Sequence, residues 1–397
     1  MTLMVGLAMA EVCSSYPTAG GLYYWAAKLA KPGKGAIWAW FTGWFNFLGQ
    51  VAVTAGIDFG AAFFVHALLN DISVWWHIIG VLLIVALLAF VPAQHQSATF
   101  VFTKIVNLTG WHSTIYVLAL GLLLAQYTFT GYDASAHMTE ETHSAARSGP
   151  RGIVMSIIVS LFAGWVLLLG LTFGIQHYAA TVASPTGVPP VQIFIDALGA
   201  TTAKLLLLVV IGAQLFCGMS SVTANSRMIY AFSRDGALPG SSIWHRVNKR
   251  TRTPTNAIWL AAGGAFILAL PDLWNSTAYA AVTSIAVIGL YIAYVAPTFL
   301  RLRQGENFQR GPWNLGRWSY VVGWIAVAWV VFIFFLFMLP TASPITRTNF
   351  NYTVVAVLVV IGFATIYWLV SARNWFTGPR VQGTPEELAA IEEELAS

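Results

Sequence analysis

Nine long apolar stretches constrain the fold of this chain more than any other feature. They cover roughly residues 36–64, 74–92, 114–138, 152–174, 203–226, 255–270, 276–300, 318–338 and 351–371. Most reach or exceed the length of about 20 residues that a helix needs to cross a bilayer. Backbone in lipid must satisfy its own hydrogen bonds, and the two-residue alternation of a membrane barrel is absent from these runs. The sequence therefore predicts an all-α, multi-pass integral membrane protein.

The composition supports lipid as the solvent of this chain. Of its 397 residues, 57% are hydrophobic and only 9% are charged, whereas soluble domains carry roughly 25% charged residues. The two cysteines, Cys13 and Cys217, are far apart and predict neither a disulfide framework nor a metal cluster. We find no phosphate-binding glycine loop and no nucleophile motif, so neither a cofactor nor an enzyme activity is expected.

The basic residues indicate the orientation of the predicted helices. Arginines and lysines concentrate in alternate loops, which are cytoplasmic by the positive-inside rule. These are Arg147 and Arg151; Arg227, Arg234, Arg246, Lys249, Arg250 and Arg252; Arg301, Arg303, Arg310 and Arg317; and Arg373 and Arg380. The net charge of +5 then needs no nucleic-acid partner. We expect a protein of the cell membrane whose loops 139–151, 227–253 and 301–317 are cytoplasmic.

One part of this topology conflicts with the charge rule. Counting back from the loop 139–151 through three apolar runs places Lys28, Lys31 and Lys34 outside the cell. The rule places lysines inside, which requires an even number of crossings between residues 35 and 139. Three explanations remain open: the stretch 36–69 contains two crossings, the segment 93–113 is re-entrant, or a helix is missing.

The chain divides into one transmembrane domain, residues 1–380, and a short acidic tail, residues 381–397. Thr384 and Pro385 resemble the start of a helix, and five glutamates follow. We interpret this tail as a solvated cytoplasmic segment without chemistry of its own. The opening run from Met1 to Ala10 is too short to span a bilayer and lacks the basic start of a signal peptide.

The third apolar run contains the strongest candidate site. Its helix is interrupted by Thr128, Phe129, Thr130, Gly131, Tyr132 and Asp133. Glycine and small polar residues at this depth unwind helices, and a bound solute then satisfies the freed backbone groups. A carboxylate such as Asp133 should face a cavity rather than lipid. Alternatively, the helix simply ends near Gly131 and Asp133 lies at the membrane interface.

Three further groups are candidates with weaker signals. Asn46 and Gln50 share one helix face and either bond a neighbouring helix or line the solute path. Ser220, Ser221 and Thr223 either pack closely against another helix or coordinate an ion. His77 either carries a coupling proton or serves a structural role.

Several motifs together resemble the amino acid–polyamine–organocation (APC) permeases. The sequence from Gly131 to Asp133, followed by Glu140–Thr142 and Pro150–Ile153, resembles their sixth-helix signature. The segment 227–239 resembles the end of their eighth helix, and residues 253–257 the start of the ninth. Glu11 to Gly21 is similar to the motif that joins helices two and three. The residues of these motifs are most similar to those of the amino acid/choline subgroup, which includes GABA permeases.

The resemblance implies a fold of two inverted five-helix repeats followed by two extra helices. Residues 114–300 then form the second repeat, and residues 318–371 form the extra helices. Residues 1–113 then form an incomplete first repeat. In the family, helix one and most of helix two precede the motif found here at 11–21, and the given sequence has no counterpart of them. Residues 66–70 resemble only a remnant of helix four. A missing helix four also removes the conflict over the number of crossings.

The resemblance further implies a secondary active transporter of amino acids or related amines such as GABA. By motif position, Tyr127 matches an aromatic residue of the outer gate. Phe129, Thr130 and Gly131 match the unwound segment of the family's sixth helix. Asp133 matches a position that can be acidic and linked to gating in relatives, and we also count it among the candidates for ion or proton coupling. The expected partners are the amino acid or amine solute, membrane lipid and coupling protons. The alternative is a transport-inactive remnant or accessory subunit, because the broken first helix of the family has no counterpart here.

Overall fold

In a computed structural model of the chain, every regular element among the described residues is helical. The structure describes residues 1–18, 20–65, 76–92, 94–184, 188–274, 278–347 and 349–379, except for the side chains of 58–65, 76–82, Glu141 and Asp272. The α-helices are α1 (Thr2–Ser15), α2 (Gly21–Leu29), α3 (Gly35–Val65), α4 (Trp76–Phe90), α5 (Ala98–Thr103), α6 (Thr114–Leu120), α7 (Leu122–Thr128), α8 (Ala134–His137), α9 (Ala145–Phe173), α10 (Tyr178–Val182), α11 (Pro189–Leu198), α12 (Ala200–Arg234), α13 (Ser241–Trp244), α14 (Thr255–Ala269), α15 (Ala278–Gln304), α16 (Ser319–Leu336) and α17 (Thr353–Val370).

Five of these helices are long and apolar enough to cross a membrane, as judged by length and composition in the part of the chain that the structure describes. They lie within Ala145–Phe173, Ala200–Arg234, Ala278–Asn307, Gly316–Leu336 and Thr353–Val370. The outward faces of several are strongly apolar, as expected for helices whose solvent is lipid. The all-α prediction is therefore confirmed, whereas the inverted repeat, the domain boundaries and the character of the acidic tail remain predictions.

The chain forms two compact units. The first, unit 1, comprises Met1–Gly56, Thr109–Ile158 and Ser220–Ser397. The second, unit 2, comprises Ile57–Leu108 and Val159–Met219. Unit 2 has an aliphatic core that includes Leu88 of α4, Phe194 of α11 and Leu206 of α12.

Helix α15 is the most buried long helix of unit 1. It packs against α1, α2 and α16, and nearly all its side chains from Ala281 to Leu302 are buried. It crosses α3 very closely at a pair of glycines: a Cβ atom on Gly289 would lie 2.9 Å from the backbone of Gly49. Small residues allow helix backbones to approach in this way. The crossing sets α3 and α15 side by side at the candidate site.

The basic segments of unit 1 gather at one of its ends. The hydroxyl of Tyr23 donates to Asp235 at 2.8 Å, and the Gln304 amide donates to the carbonyl of Leu29 at 3.2 Å. At the opposite end, the N–H of Ser343 bonds the carbonyl of Thr109. The lysines after α2 therefore lie at the same end as the basic loops around residues 235 and 305. This grouping is the one that the charge rule predicts. The number of crossings between residues 35 and 139 stays a prediction, because residues 66–75 lie outside the described part of the chain.

Two sequence-based expectations need correction. The stretch from Gly35 to Val65 is one continuous helix, so two crossings are not contained in it. The loop predicted at 139–151 is shorter, because α9 begins at Ala145 and includes Pro150. Proline has no N–H to donate to the carbonyl four residues earlier. The hydroxyl of Ser14 donates to that carbonyl of Ala146 instead, at 2.7 Å, which explains how the helix tolerates the proline.

Candidate functional site

The third apolar run is broken where the sequence predicts a break. Helix α7 ends at Thr128, a series of turns follows, and α8 begins at Ala134. Gly131 has a φ of +95°, which only glycine adopts without strain. Apart from its two chain neighbours, no heavy atom of the described residues lies within 4 Å of the position where a Cβ atom would stand on Gly131. The break therefore contains a backbone turn that requires glycine, with open space at Gly131 itself.

Asp133 is completely buried and is held by neutral donors from two other helices. The Gln50 amide of α3 donates to its Oδ2 atom at 2.6 Å, and the Tyr294 hydroxyl of α15 donates to Oδ1 at 2.7 Å. Burying a carboxylate costs several kcal/mol unless hydrogen bonds or an opposite charge compensate. Asp133 therefore lies inside the helix bundle with these bonds as compensation, and its depth in the membrane stays a prediction.

The partner that completes this site is His137, one helical turn after Asp133. Its Nε2 atom lies 3.3 Å from Asp133 Oδ2, and both side chains are buried. The contact is an ion pair only when the imidazole is protonated. Among the described residues, no cluster of three or more His, Cys, Asp or Glu side chains is placed to bind a metal ion.

A second polar group adjoins Gln50 on the same face of α3. The Thr54 hydroxyl lies 2.8 Å from the Ser221 hydroxyl of α12, and the Asn225 amide donates to Thr54 at 3.4 Å. Thr54 itself donates to the carbonyl of Gln50. Asn46, one turn before Gln50, is fully buried, and neither polar atom of its amide has a hydrogen-bond partner in the described part of the chain. Unsatisfied buried amides are rare and typically mark a site for water or solute.

Three tyrosines surround the break on the α15 side. The Tyr132 ring lies 4.7 Å from that of Tyr294 and 6.4 Å from that of Tyr291, measured between centroids. The Tyr291 hydroxyl reaches Thr2 of α1 at 3.5 Å, and Thr2 in turn donates to Gln126 of α7 at 3.2 Å. This aromatic group fixes Tyr294 and thereby the orientation of Asp133.

The other predicted site residues at the break, Tyr127 to Thr130, are placed less favourably for solute contact than Asp133. The exposed Thr128 donates to the carbonyl of Leu124, and Thr130 donates to that of Tyr127, so both hydroxyls bond their own segment. Tyr127 approaches α3, where a Cβ atom on Gly56 would lie 2.3 Å from its hydroxyl oxygen. Phe129 is half-buried at the first turn of the break.

The candidates for ion coupling separate in the structure. Ser221 joins the Thr54 group, whereas Ser220 is exposed and Thr223 only contributes its carbonyl to Ser226 and Arg227. Of the three, only Ser221 is placed beside the polar groups of α3, and an ion-binding role for this group stays a prediction. The side chain of His77 lies outside the described residues.

Sequence reasoning missed Tyr294, His137, Thr54 and Asn225. His137 and Thr54 each carried a usable signal, because they stand four residues after Asp133 and Gln50 and so share their helix faces. Tyr294 carried none, since its relevance arises from the packing of α15 against the break.

Comparison with known proteins identifies the family. The family described as "Amino acid permease" matches residues 62–363. The chain is 44% identical to "Amino-acid permease BAT1" of Arabidopsis thaliana, covering 95% of this chain and 84% of that protein. It is 42% identical to a BAT1 homolog of Oryza sativa subsp. japonica (95% and 83% covered), and 31% identical to a "Putative amino acid/polyamine transporter" of Macrophomina phaseolina (89% and 88%).

The alignment with the Arabidopsis protein extends over 433 positions. Because this chain has 397 residues, the alignment includes internal positions for which this chain has no residue. The predicted resemblance to APC permeases, the transport of amino acids and the multi-pass membrane location are nevertheless confirmed by these matches. The chain belongs to the amino acid permease family of membrane transporters.

Proposed function

We propose that this chain is a secondary active transporter of amino acids and related amines such as GABA, with its solute site at the break around Asp133. The observation that carries the proposal is the buried Asp133 carboxylate, which has two neutral donors and one histidine as neighbours and no permanent cation. Every solute of this class has an ammonium group, and a buried carboxylate is its natural partner.

The end of the solute opposite its ammonium group would contact side-chain amides. Asn46 and Gln50 present amide groups from consecutive turns of α3, and Asn46 has both polar atoms available. An amide donates to a carboxylate and equally to a neutral polar group. This pairing of one charged and one adaptable contact supports recognition of amino acids and of amines. The name of the Macrophomina relative, which joins amino acids and polyamines, supports the same range.

The contact between Asp133 and His137 supports coupling to protons as part of this proposal. When His137 is protonated, its charge compensates that of Asp133, and the carboxylate attracts a solute ammonium less strongly. When His137 is neutral, Asp133 needs the ammonium as its counter-ion. Solute and proton therefore compete for one carboxylate, which is the basic requirement for exchange of the two across a membrane.

A second candidate is a transport-inactive permease or accessory membrane subunit. The observation that favours it is the alignment with the Arabidopsis relative, which includes internal positions that this chain lacks. A transporter grips its solute from both repeats. An incomplete first repeat would remove one of those two contacts.

Uptake by the purified full chain in liposomes tests the proposal. Labelled GABA and a panel of amino acids are offered under an imposed proton gradient, and we expect saturable uptake. Asp133→Asn should lower kcat/KM about 10- to 100-fold, because a hydrogen bond to a charged group contributes roughly 1.5–3 kcal/mol. The matched control is Asp196→Asn in α11, whose carboxylate accepts from Gln192 of the same helix.

Each outcome decides between the two candidates. Uptake that falls with Asp133→Asn but not with Asp196→Asn supports transport at the break. Absence of uptake by the unaltered chain, with a cooperative thermal unfolding transition, supports the inactive subunit. Equal uptake by the chain and both variants would place the solute site elsewhere.

A further inference from the structure

A cavity of about 620 Å³ opens in unit 1 between the turn after α2 and the last turn of α15. It is separate from the break around Asp133, and nothing in the proposed transport step uses it. The residues that line it are Leu29, Ala30, Lys31, Pro32, Lys34, Trp38, Leu300, Arg303, Gln304 and Asn307. Three of these ten side chains are cationic and none is acidic.

The two lysines are held together by a tight turn. The N–H of Lys34 donates to the carbonyl of Lys31 at 2.9 Å, and Gly33 between them has a φ of +76°. Proline followed by glycine in this conformation is typical of a type II turn. The turn brings both lysines, which are exposed, to the wall of one cavity. Its position is fixed by the Gln304 amide, which donates to the carbonyl of Leu29.

The third cation comes from α15. The Arg303 guanidinium lies over the ring of Phe299, with 5.9 Å between its central carbon and the ring centroid. Within the described ranges, neither Arg303 nor the two lysines form an ion pair with a carboxylate. Glu306 is near in sequence but does not line the cavity. Three like charges in one cavity repel one another, and a bound anion relieves that repulsion.

The rest of the lining is apolar and aromatic. Trp38 packs against Phe299 with ring centroids 6.2 Å apart, and Leu29 and Leu300 contribute buried aliphatic surface. Tryptophan and lysine are enriched at the level of lipid headgroups, where one end of the side chain is dry and the other is wet. The cavity also lies at the end of unit 1 that collects the basic segments.

We propose that this cavity binds the phosphate headgroup of an anionic phospholipid from the cytoplasmic leaflet. Lys31, Lys34 and Arg303 contact the phosphate, and the Trp38 side of the cavity contacts the glycerol and upper acyl chain. The apolar wall favours a lipid over inorganic phosphate, which would gain nothing from it. Basic pockets between membrane helices on the cytoplasmic side are a recurrent setting for such headgroups.

Lipid retention by the purified full chain tests this site. The protein is delipidated in a neutral detergent, titrated with phosphatidylglycerol or phosphatidylcholine, and examined by native mass spectrometry. The site variant is the triple substitution Lys31→Gln, Lys34→Gln and Arg303→Gln. The matched control is Arg246→Gln, Lys249→Gln and Arg250→Gln, which removes the same charge from an exposed loop at residues 246–250.

We expect the unaltered chain to prefer phosphatidylglycerol, and the site variant to lose at least about tenfold of that preference, since each basic residue near an anionic lipid contributes roughly 1 kcal/mol. The control should retain it. An equal loss in both variants would mean a diffuse charge effect and would overturn the proposal.

Two further arms distinguish other occupants. Displacement of phosphatidylglycerol by millimolar inorganic phosphate would assign the cavity to a soluble anion and contradict a lipid site. The five glutamates of the tail, Glu386, Glu387, Glu392, Glu393 and Glu394, are also changed to glutamine in the full chain. Lipid preference that emerges only in that variant would identify the tail as the occupant and would likewise overturn the proposal.

Discussion

Two of the buried carboxylates of unit 1, Glu11 and Asp133, are held in opposite ways. Glu11 of α1 is paired with Arg301 of α15 at 3.3 Å, and it also accepts the backbone N–H of Leu315 at 3.3 Å and the hydroxyl of Ser319. Asp133 instead accepts from the neutral Gln50 and Tyr294 and contacts the titratable His137. The first carboxylate has a permanent counter-ion and the second does not.

The surroundings of the counter-ion strengthen this contrast. The Arg301 guanidinium lies between the rings of Phe308 and Tyr320, with 4.9 Å from its central carbon to each centroid. A guanidinium stays charged at all physiological pH values and stacks well on aromatic faces. The Glu11 pair therefore joins α1, α15 and α16 as a fixed connection. The Asp133 group contains no permanent cation: its neighbours are two neutral donors and a histidine.

The largest effect should come from removing the charge of Glu11. Glu11→Gln leaves Arg301 buried without a counter-ion, which typically costs about 3–5 kcal/mol. The thermal unfolding midpoint of the purified protein should fall by several degrees, whereas Glu306→Gln at an exposed position should leave it unchanged. Similar midpoints for both variants would show that Glu11 and Arg301 are not a structural connection.

A smaller loss is expected at the neighbouring serine. Ser14 donates to the carbonyl of Ala146 and accepts the N–H of Trp313 at 2.9 Å, so Ser14→Ala leaves two backbone groups unsatisfied. We expect a cost of about 1–3 kcal/mol, as is usual for lost buried hydrogen bonds. Chemical denaturation measures it, with the exposed Ser242→Ala as the control. A null result would remove the explanation offered for Pro150 within α9.

Asp133→Asn should affect stability least among these changes of buried groups. Asparagine keeps an oxygen for Tyr294, and the Gln50 amide can turn to present its own oxygen. No permanent cation is left behind, so we expect the unfolding free energy to change by less than about 1 kcal/mol, in contrast to Glu11→Gln. A loss as large as that of Glu11→Gln would mean that both carboxylates are structural.

The sequence predicted some parts of the site better than others. The break at Gly131 and the burial of Asp133 followed from local rules, because glycine permits a positive φ and lipid excludes a carboxylate. The face shared by Asn46 and Gln50 followed from helical spacing, and Gln50 does contact Asp133. Of the ion candidates on α12, helical rotation brings only Ser221, together with Asn225, to Thr54, so the sequence did not show which of the three side chains shares a polar group with α3.

The start of α9 illustrates the limit of local reasoning. Pro150 predicts a helix boundary when only its neighbours are considered, because it removes one backbone donor. The helix nevertheless begins earlier, since Ser14, 132 residues before Ala146 in the chain, replaces that donor. Neither serine nor proline carries a signal for this pairing in its own sequence neighbourhood.

The sequence by itself determined that this protein is helical, that it is a membrane protein, and that it buries a carboxylate where a helix is interrupted at a glycine. These properties depend on hydrophobicity and on backbone stereochemistry, which act residue by residue. Only the tertiary structure decided that Tyr294, Gln50 and His137 meet Asp133, and that Arg301 meets Glu11. Such contacts depend on the close crossing of α3 and α15 at Gly49 and Gly289, and packing between distant helices leaves no periodic pattern in either helix alone.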